Sequence, residues 1–233
     1  MAKLVLIRHG ESVWNTRNLF SGWVDVPLTQ GGIIEATRAG RQLSAIDFDV
    51  VYTSMLVRSI QTALIVLLSC RRHRTPFMVH DGFMHRRRYR TFNHQEMRNM
   101  IPVHCCWQLN ERYYGELQGF NKSKVADVFG LEKVLSWRKG FNVRPPKGES
   151  LNDTSHRTLP FFNKTIIPQL KAGKNVLVSA HANSLRSIVM SLENMDEAQL
   201  VGLDMDTANP IVYNYVDGQL VRDQLSDNEQ LWK

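Results

Sequence analysis

Cysteine is scarce, no apolar run is long, and acidic residues are outnumbered; each deficit removes a class of protein. The three cysteines in 233 residues, Cys70, Cys105 and Cys106, lack metal-ligand spacing. An odd number of this kind forms neither the disulfide framework of a small secreted domain nor a zinc site, and reads as reduced thiols of a cytoplasmic protein. Only Leu4-Val5-Leu6-Ile7 separates Lys3 from Arg8, too little for the hydrophobic region of a signal peptide, so secretion is not expected. The longest other apolar run, Ala63-Leu64-Ile65-Val66-Leu67-Leu68, falls far below the roughly 20 residues that cross a bilayer, and no membrane partner is expected.

Acidic residues number 22 against 29 Lys and Arg, a net charge of +7. The excess is local: residues 71–98 hold eight arginines against Asp81 and Glu96. The rest of the chain is nearly balanced, which argues against nucleic acid as a partner. With 43% hydrophobic and 22% charged residues the composition is that of an ordinary globular protein. The length suits a single domain over 1–233 with a sizeable core.

Against this background one element stands out. Leu4-Val5-Leu6-Ile7 runs directly into Arg8-His9-Gly10. Such a pattern suits a buried parallel strand that surfaces at the carboxyl edge of an α/β sheet, where ligands bind. Arg8 offers a planar fork of donors to phosphate oxygens, and Gly10 permits close approach of the backbone to a ligand. His9 between them reads as a nucleophile, a general base, a metal ligand or a hydrogen-bonded structural histidine.

Alternating strands and helices follow. Residues 3–7 form the first strand, and 29–44 a helix capped by Thr29. Residues 49–52 form a second strand, followed by a helix over 55–67 with Arg58 in its first turn. No assignment is legible from 70 to 108. Residues 152–170 read as a helix interrupted or divided at Pro160. Residues 175–180 are the clearest strand, with His181 at its end and a helix over 185–192 beyond. Residues 211–216 and 220–221, separated by Asp217-Gly218-Gln219, form a hairpin. The expected fold is α/β: a three-layer sandwich with a mostly parallel central sheet, helices on both faces and a C-terminal hairpin.

Three strand-to-loop junctions therefore carry residues suited to phosphate: Arg8 with His9, Arg58, and His181 with Asn183. In a parallel sheet such junctions share one edge, so these residues can share a pocket.

They sit within longer blocks. The blocks are 4–15 (LVLIRHGESVWN), 20–27 (FSGWVDVP), Leu28-Thr29, and Tyr52-Thr53-Ser54 with Arg58. Further on come 109–119 (LNERYYGELQG), Asn121-Lys122, 137–141 (WRKGF), 145–151 (PPKGESL) and 181–186 (HANSLR). On these blocks the chain resembles the histidine phosphatase superfamily and, within it, the cofactor-dependent phosphoglycerate mutases, over most of residues 3–68 and 107–216. Arg-His-Gly marks only the superfamily; NERYYG, WRKGF and SGW favour the mutase branch.

The resemblance implies that His9 is the phosphorylated residue and His181 its partner, with Arg8 and Arg58 clamping the transferred group. Glu111 is the implied general acid and base, although by itself this carboxylate reads as an ion pair with Arg112. Ser12, Asn15, Ser21, Gly22, Ala182 and Asn183 are implied substrate-binding residues. Arg112, Tyr114, Lys122, Arg138 and Lys139 are implied contacts of a substrate carboxylate and distal phosphate. The implied reaction interconverts 3-phosphoglycerate and 2-phosphoglycerate through a phosphohistidine. Its implied cofactor is 2,3-bisphosphoglycerate, which primes His9, and no metal is implied. A homo-oligomer, dimer or tetramer, is compatible with the resemblance.

Some positions depart from the family pattern. Ala182 stands where Gly is usual, and its methyl group is expected either to crowd a phosphate oxygen or to demand a slightly different backbone angle; Lys139 stands where Arg is common. Residues 70–100 read as a basic insertion: a lid or an anion-binding surface near the pocket, a partner or nucleic-acid contact, or a disordered or lineage-specific loop without catalytic consequence. Two rival functions remain. One is a phosphatase of the same superfamily acting on a small phosphorylated metabolite; the other is a catalytically impaired binding protein.

Overall fold

The computed structural model describes residues 1–70, 74–79 and 94–223. Alternation in the first strand, β1 (Ala2–Arg8), dictates the layers. Leu4 and Leu6 point to one face and Val5 and Ile7 to the other, all four fully buried. A strand apolar on both faces requires a covering layer on each.

The other strands are β2 (Val50–Thr53), β3 (Thr75–Val79), β4 (Met100–Cys105), β5 (Val176–Ala180), β6 (Pro210–Val216) and β7 (Gln219–Arg222). They form one sheet in the order β3-β4-β2-β5-β1-β6-β7. Strands β1 to β5 run parallel, β6 is antiparallel to β1, and the β6–β7 hairpin closes one side. The expected mostly parallel sheet and C-terminal hairpin are both present.

A short helix α1 (Val13–Thr16) follows the first turn. On one face lie α2 (Gln30–Gln42), capped by the Thr29 side chain, and α3 (Val57–Ser69). Their residues Ala39, Ala63 and Val66 pack on Val5, Ile7 and Val51. Beyond β3, α4 (His94–Arg98) leads into β4, and α5 (Lys122–Phe129) and α6 (Leu131–Lys139) follow it. A separate small core of Phe20, Leu117, Val125, Val134 and Trp137 holds α5 and α6.

The opposite face carries α7 (Leu151–Phe161), a π turn (Phe162–Ile166), α8 (Ile167–Lys171) and α9 (Ala182–Glu193). Phe162, Ile166, Leu185 and Ile188 meet Leu4, Leu6 and Val178 there. Pro160 is accommodated inside α7; the π turn begins two residues later, and the chain stays helical into α8. Last comes α10 (Glu197–Gly202), leading to β6.

The segment expected as an insertion contributes sheet. β3 lies inside it, and β4 begins inside it and pairs with β2. Alternation is present in β4, where Ile101 and Val103 are buried, but Pro102 and His104 between them mask the pattern. Residues 71–73 and 80–93, which carry most of the clustered arginines, lie outside the described residues.

Candidate active site

His9 directly follows β1, and its backbone N–H donates to the Ala180 carbonyl of β5 at 3.0 Å. Its Nδ1 lies 2.7 Å from the carbonyl oxygen of Gly10. A carbonyl only accepts, so Nδ1 carries the proton. Burial, then Arg58 and Arg8, hold the ring's pKa well below the usual 6.5, which leaves a neutral imidazole with its lone pair on Nε2. Gly10 serves helix packing more than ligand approach. A Cβ there would lie 2.5 Å from the carbonyl oxygen of Gly32 in α2.

At the end of β5, His181 is the N-cap residue of α9, with its ring 5.0 Å from that of His9 and tilted by 59°. Its Nε2 lies 2.7 Å from the Ser54 Oγ, and the Leu56 N–H donates to that oxygen at 3.1 Å, leaving the hydroxyl proton to be given to Nε2. Burial, reinforced by Arg58 and His9, holds this ring's pKa well below 6.5 too. Its Nδ1 is buried without a protein partner.

Arg58, in the first turn of α3, is fully buried, and donates to the Val24 and Gly22 carbonyls at 2.8 Å each. Gly22 presents its carbonyl from a left-handed conformation, φ +49°, that glycine adopts without strain. Arg8 donates to the Met205 carbonyl at 2.6 Å. The Nε atoms of Arg8 and Arg58 are buried without protein partners.

Glu111 reaches the same edge because β4 and the 3-10 turn Trp107–Leu109 lead into it. Its Oε1 accepts the Arg112 backbone N–H at 2.7 Å and the Asn183 Nδ2–H at 2.8 Å. Asn183, which the resemblance makes a substrate-binding residue, thus also holds this carboxylate. The ion pair with Arg112 is not formed: the Arg112 guanidinium donates to the Arg138 carbonyl and lies 5.1 Å above the Tyr114 ring. Arg157 of α7 fixes the main chain here, donating to the carbonyls of Gln108 at 2.8 Å, Asn110 at 3.0 Å and Glu111 at 2.9 Å. Its other edge meets the Glu149 carboxylate at 2.9–3.0 Å. The Trp23 Nε1–H adds a second bond, 2.6 Å, to the Glu111 carbonyl.

These junctions enclose a cavity of about 280 Å³. Its wall includes Arg8, His9, Asn15, Ser21, Gly22 and Arg58 from the N-terminal part of the chain. Glu111, Tyr114, Lys122, Arg138 and Lys139 come from the middle, and Ala182 and Asn183 from α9. Ser12, Arg112 and His181 are fully buried and lie outside the wall. Ser12 instead pairs with Asn15, whose Oδ1 accepts its backbone N–H at 2.9 Å and its hydroxyl at 2.8 Å. Ala182 adopts no left-handed conformation, so the backbone at this position does not demand glycine.

Sequence reasoning missed several wall residues: Phe20, Arg186, Asp204, Met205 and Asp206 among them. Arg186 was detectable, since on a helix it lies three residues from Asn183 and shares its face. No pattern marks Asp204 or Asp206. In charge the wall sets six cations, Arg8, Arg58, Lys122, Arg138, Lys139 and Arg186, against the carboxylates Glu111, Asp204 and Asp206. The crowding shows in Lys122, whose pKa falls to about 8 through burial and then Arg138 and Arg8. Such a wall suits a ligand with more than one anionic group. Among the described residues no cluster of His, Cys, Asp and Glu is placed to hold a metal ion, and no helix is long and apolar enough to cross a membrane.

Comparison with known proteins agrees with this geometry. The histidine phosphatase superfamily (branch 1) matches residues 4–87 and 84–228. A 2,3-bisphosphoglycerate-dependent phosphoglycerate mutase of Chlamydia pneumoniae is 50% identical over 215 residues, 92% of this chain and 94% of that protein. The two are therefore close to equal in length. The enzyme of the same name from Chlamydia muridarum is 45% identical over 226 residues, covering 97% and 99% of the two chains. Among solved structures, Bacillus stearothermophilus YhfR superposes with a TM-score of 0.73 at 23% identity, covering 95% of each chain. The Shigella flexneri alpha-ribazole phosphatase gives 0.69 at 24% identity, over 95% of this chain and 94% of that one. Those two likenesses concern the fold. Fold, site residues and relatives converge: the chain belongs to the histidine phosphatase superfamily, among the 2,3-bisphosphoglycerate-dependent phosphoglycerate mutases.

Proposed function

We propose that the protein interconverts 3-phosphoglycerate and 2-phosphoglycerate by passing a phosphoryl group through His9. One observation carries this reading. A neutral His9, protonated at Nδ1 and basic at Nε2, shares a single cavity with a hydrogen-bonded carboxylate, Glu111, and a second set of cations. The residues also suit a doubly phosphorylated primer, since six cations line the wall and Arg8 and Arg58 each keep a buried Nε without a protein partner. When bound, 2,3-bisphosphoglycerate supplies the phosphoryl group that loads His9.

Each residue then has a defined task. His9 Nε2 makes and breaks the bond to phosphorus, while the neutral imidazole avoids any need to lose a proton first. Arg8 and Arg58 hold the oxygens of the transferred group, where charge gathers. His181, fixed by Ser54, donates from Nδ1 to the same oxygens. Glu111 takes the proton from the substrate hydroxyl as that oxygen accepts the phosphoryl group, and returns it as the other oxygen is released. Lys122, Arg138 and Lys139 hold the carboxylate and the phosphate that is not transferred. The three free cysteines suit a reducing cytoplasm, in which we place the enzyme.

The test is to expose the protein briefly to 2,3-bisphosphoglycerate, look for phosphohistidine by mass spectrometry, and run a coupled mutase assay. We expect label on His9 and turnover of 3-phosphoglycerate that depends on the primer. Label that decays to inorganic phosphate without yielding 2-phosphoglycerate would make the protein a phosphatase. A folded protein that takes no label would be a binding protein.

A further inference from the structure

Arg186 lines the cavity, yet it belongs to neither of the two groups of cations assigned above. Its side chain is only 11% exposed. The Nε is buried without a protein partner. Among the described residues the guanidinium has one ion pair, from Nη2 to Asp204 Oδ1 at 3.2 Å, and that carboxylate is 79% exposed. A buried cation has thus been matched with an anion that stands mostly in water, where such a pair is weak. Asp204 lines the same cavity.

The backbone carrying Asp204 is held firmly. Met205, the next residue, is buried and accepts from Arg8 at 2.6 Å, and the Ala208 N–H donates to the Arg8 carbonyl at 3.0 Å. Loop movement is therefore not needed to free Arg186; rotation of one exposed side chain suffices. Glu111 and Tyr114 are the other acidic groups acting on Arg186, and Arg112 is the cation beside it. Glu111 and Tyr114 line the same cavity as Arg186.

We propose that Arg186 is a specificity-determining residue that takes an anionic oxygen of the substrate at the end that is not transferred, and that Asp204 occupies it until the substrate arrives. The inference rests on the proposed function for the choice of ligand. Its chemistry is more general: a small molecule carrying two anionic groups exchanges for Asp204, whereas a lone phosphate does not reach this arginine. Asp204 then acts as an internal competitor that a second anionic group must displace.

Equilibrium binding by calorimetry tests this without relying on turnover, with 3-phosphoglycerate and inorganic phosphate as probes. Arg186→Gln should weaken 3-phosphoglycerate binding at least about tenfold, as expected for loss of a charge-assisted contact, and leave inorganic phosphate within about twofold. Asp204→Asn, a change at an exposed side chain, should tighten 3-phosphoglycerate binding by about two- to fivefold, the range of an exposed ion pair. In the double variant the gain from Asp204→Asn should vanish. Equal weakening of both probes by Arg186→Gln would overturn the inference. So would a gain from Asp204→Asn that persists in the double variant, because it would then come from the general field of the pocket. A wild-type protein that binds 3-phosphoglycerate no better than phosphate would instead count against the phosphoglycerate reading and this inference together. Tight binding without turnover would count against the mutase reading alone.

Discussion

Arg157 and Glu111 lie 46 residues apart, yet Nη2 of the first donates to the carbonyl oxygen of the second at 2.9 Å. One guanidinium on α7 thereby holds the loop that presents the acid and base, while Glu149 balances its charge. Shortening it to lysine removes the planar fork and most of these bonds. Arg157→Lys should lower kcat about tenfold with a smaller change in KM, and cost about 2 kcal/mol of stability for the hydrogen bonds of a charged group that the lysine cannot remake. Urea titration beside steady-state kinetics checks both; a variant that loses stability but keeps kcat would reduce Arg157 to a purely structural role.

His9 and His181 are both buried neutral, so the folded state resists their protonation. The unfolded chain takes up those protons near pH 6.5, the folded chain only further down. Above 6.5 neither state is protonated and the pair has no effect; below it the unfolded chain gains, and stability falls. Each histidine should remove about 1.4 kcal/mol per pH unit until its folded pKa is reached. Melting temperatures in phosphate-free buffer from pH 8 to 5 should show this decline, and His181→Gln should flatten it. The acid limb of kcat/KM should lie below 6.5, since protonated His9 has no lone pair to offer.

Lys122 loses its charge on the opposite side of neutrality. With a pKa of about 8 in the free protein, it is cationic at pH 7 and largely neutral at pH 9. Anion affinity should accordingly weaken as pH rises through that value. KM for 3-phosphoglycerate, measured from pH 7 to 9.5, should climb severalfold above pH 8 in the native enzyme. In Lys122→Arg, which keeps its charge throughout, the climb should disappear.

Ser54 is not one of the residues of the cavity wall and meets His181 behind it. Ser54→Ala should reduce kcat about tenfold and leave KM within about twofold, with a stability cost of about 1 kcal/mol for the lost hydrogen bond. A rise in KM with kcat preserved would show that Ser54 orients substrate instead.

The sheet was legible where a run of apolar residues was uninterrupted. β1 and β5 are built on continuous apolar runs, residues 4–7 and 176–178, and both expected strands lie within two residues of the observed bounds. β3 and β4 were not legible, because Pro76 and Pro102 and the polar residues around them interrupt the pattern; pairing of β4 with β2, and of β3 with β4, imposes strand there. The pocket was largely readable from motif blocks, since most of the residues they named do line it. What stayed hidden depended on direction. The blocks name Asn183 and Arg112 but not which way they face, and here one bonds Glu111 while the other turns to Arg138. The role of Ser54, named only as part of a block, and that of Arg157 were hidden because their partners are distant in sequence and partly main-chain atoms.

The pairing of Arg8 with Ala180 in the β1–β5 ladder has a consequence for how activity is lost. His9 and His181 each follow one member of that pair, so their spacing is set by main-chain bonds in the interior of the sheet. No fraying loop separates them. Their flanking amides should rank among the slowest to exchange hydrogen, opening only with the whole domain. Denaturant should then abolish catalysis in the same cooperative transition that unfolds the chain, with no earlier inactive but folded stage, so that for this site being folded and being competent are one equilibrium.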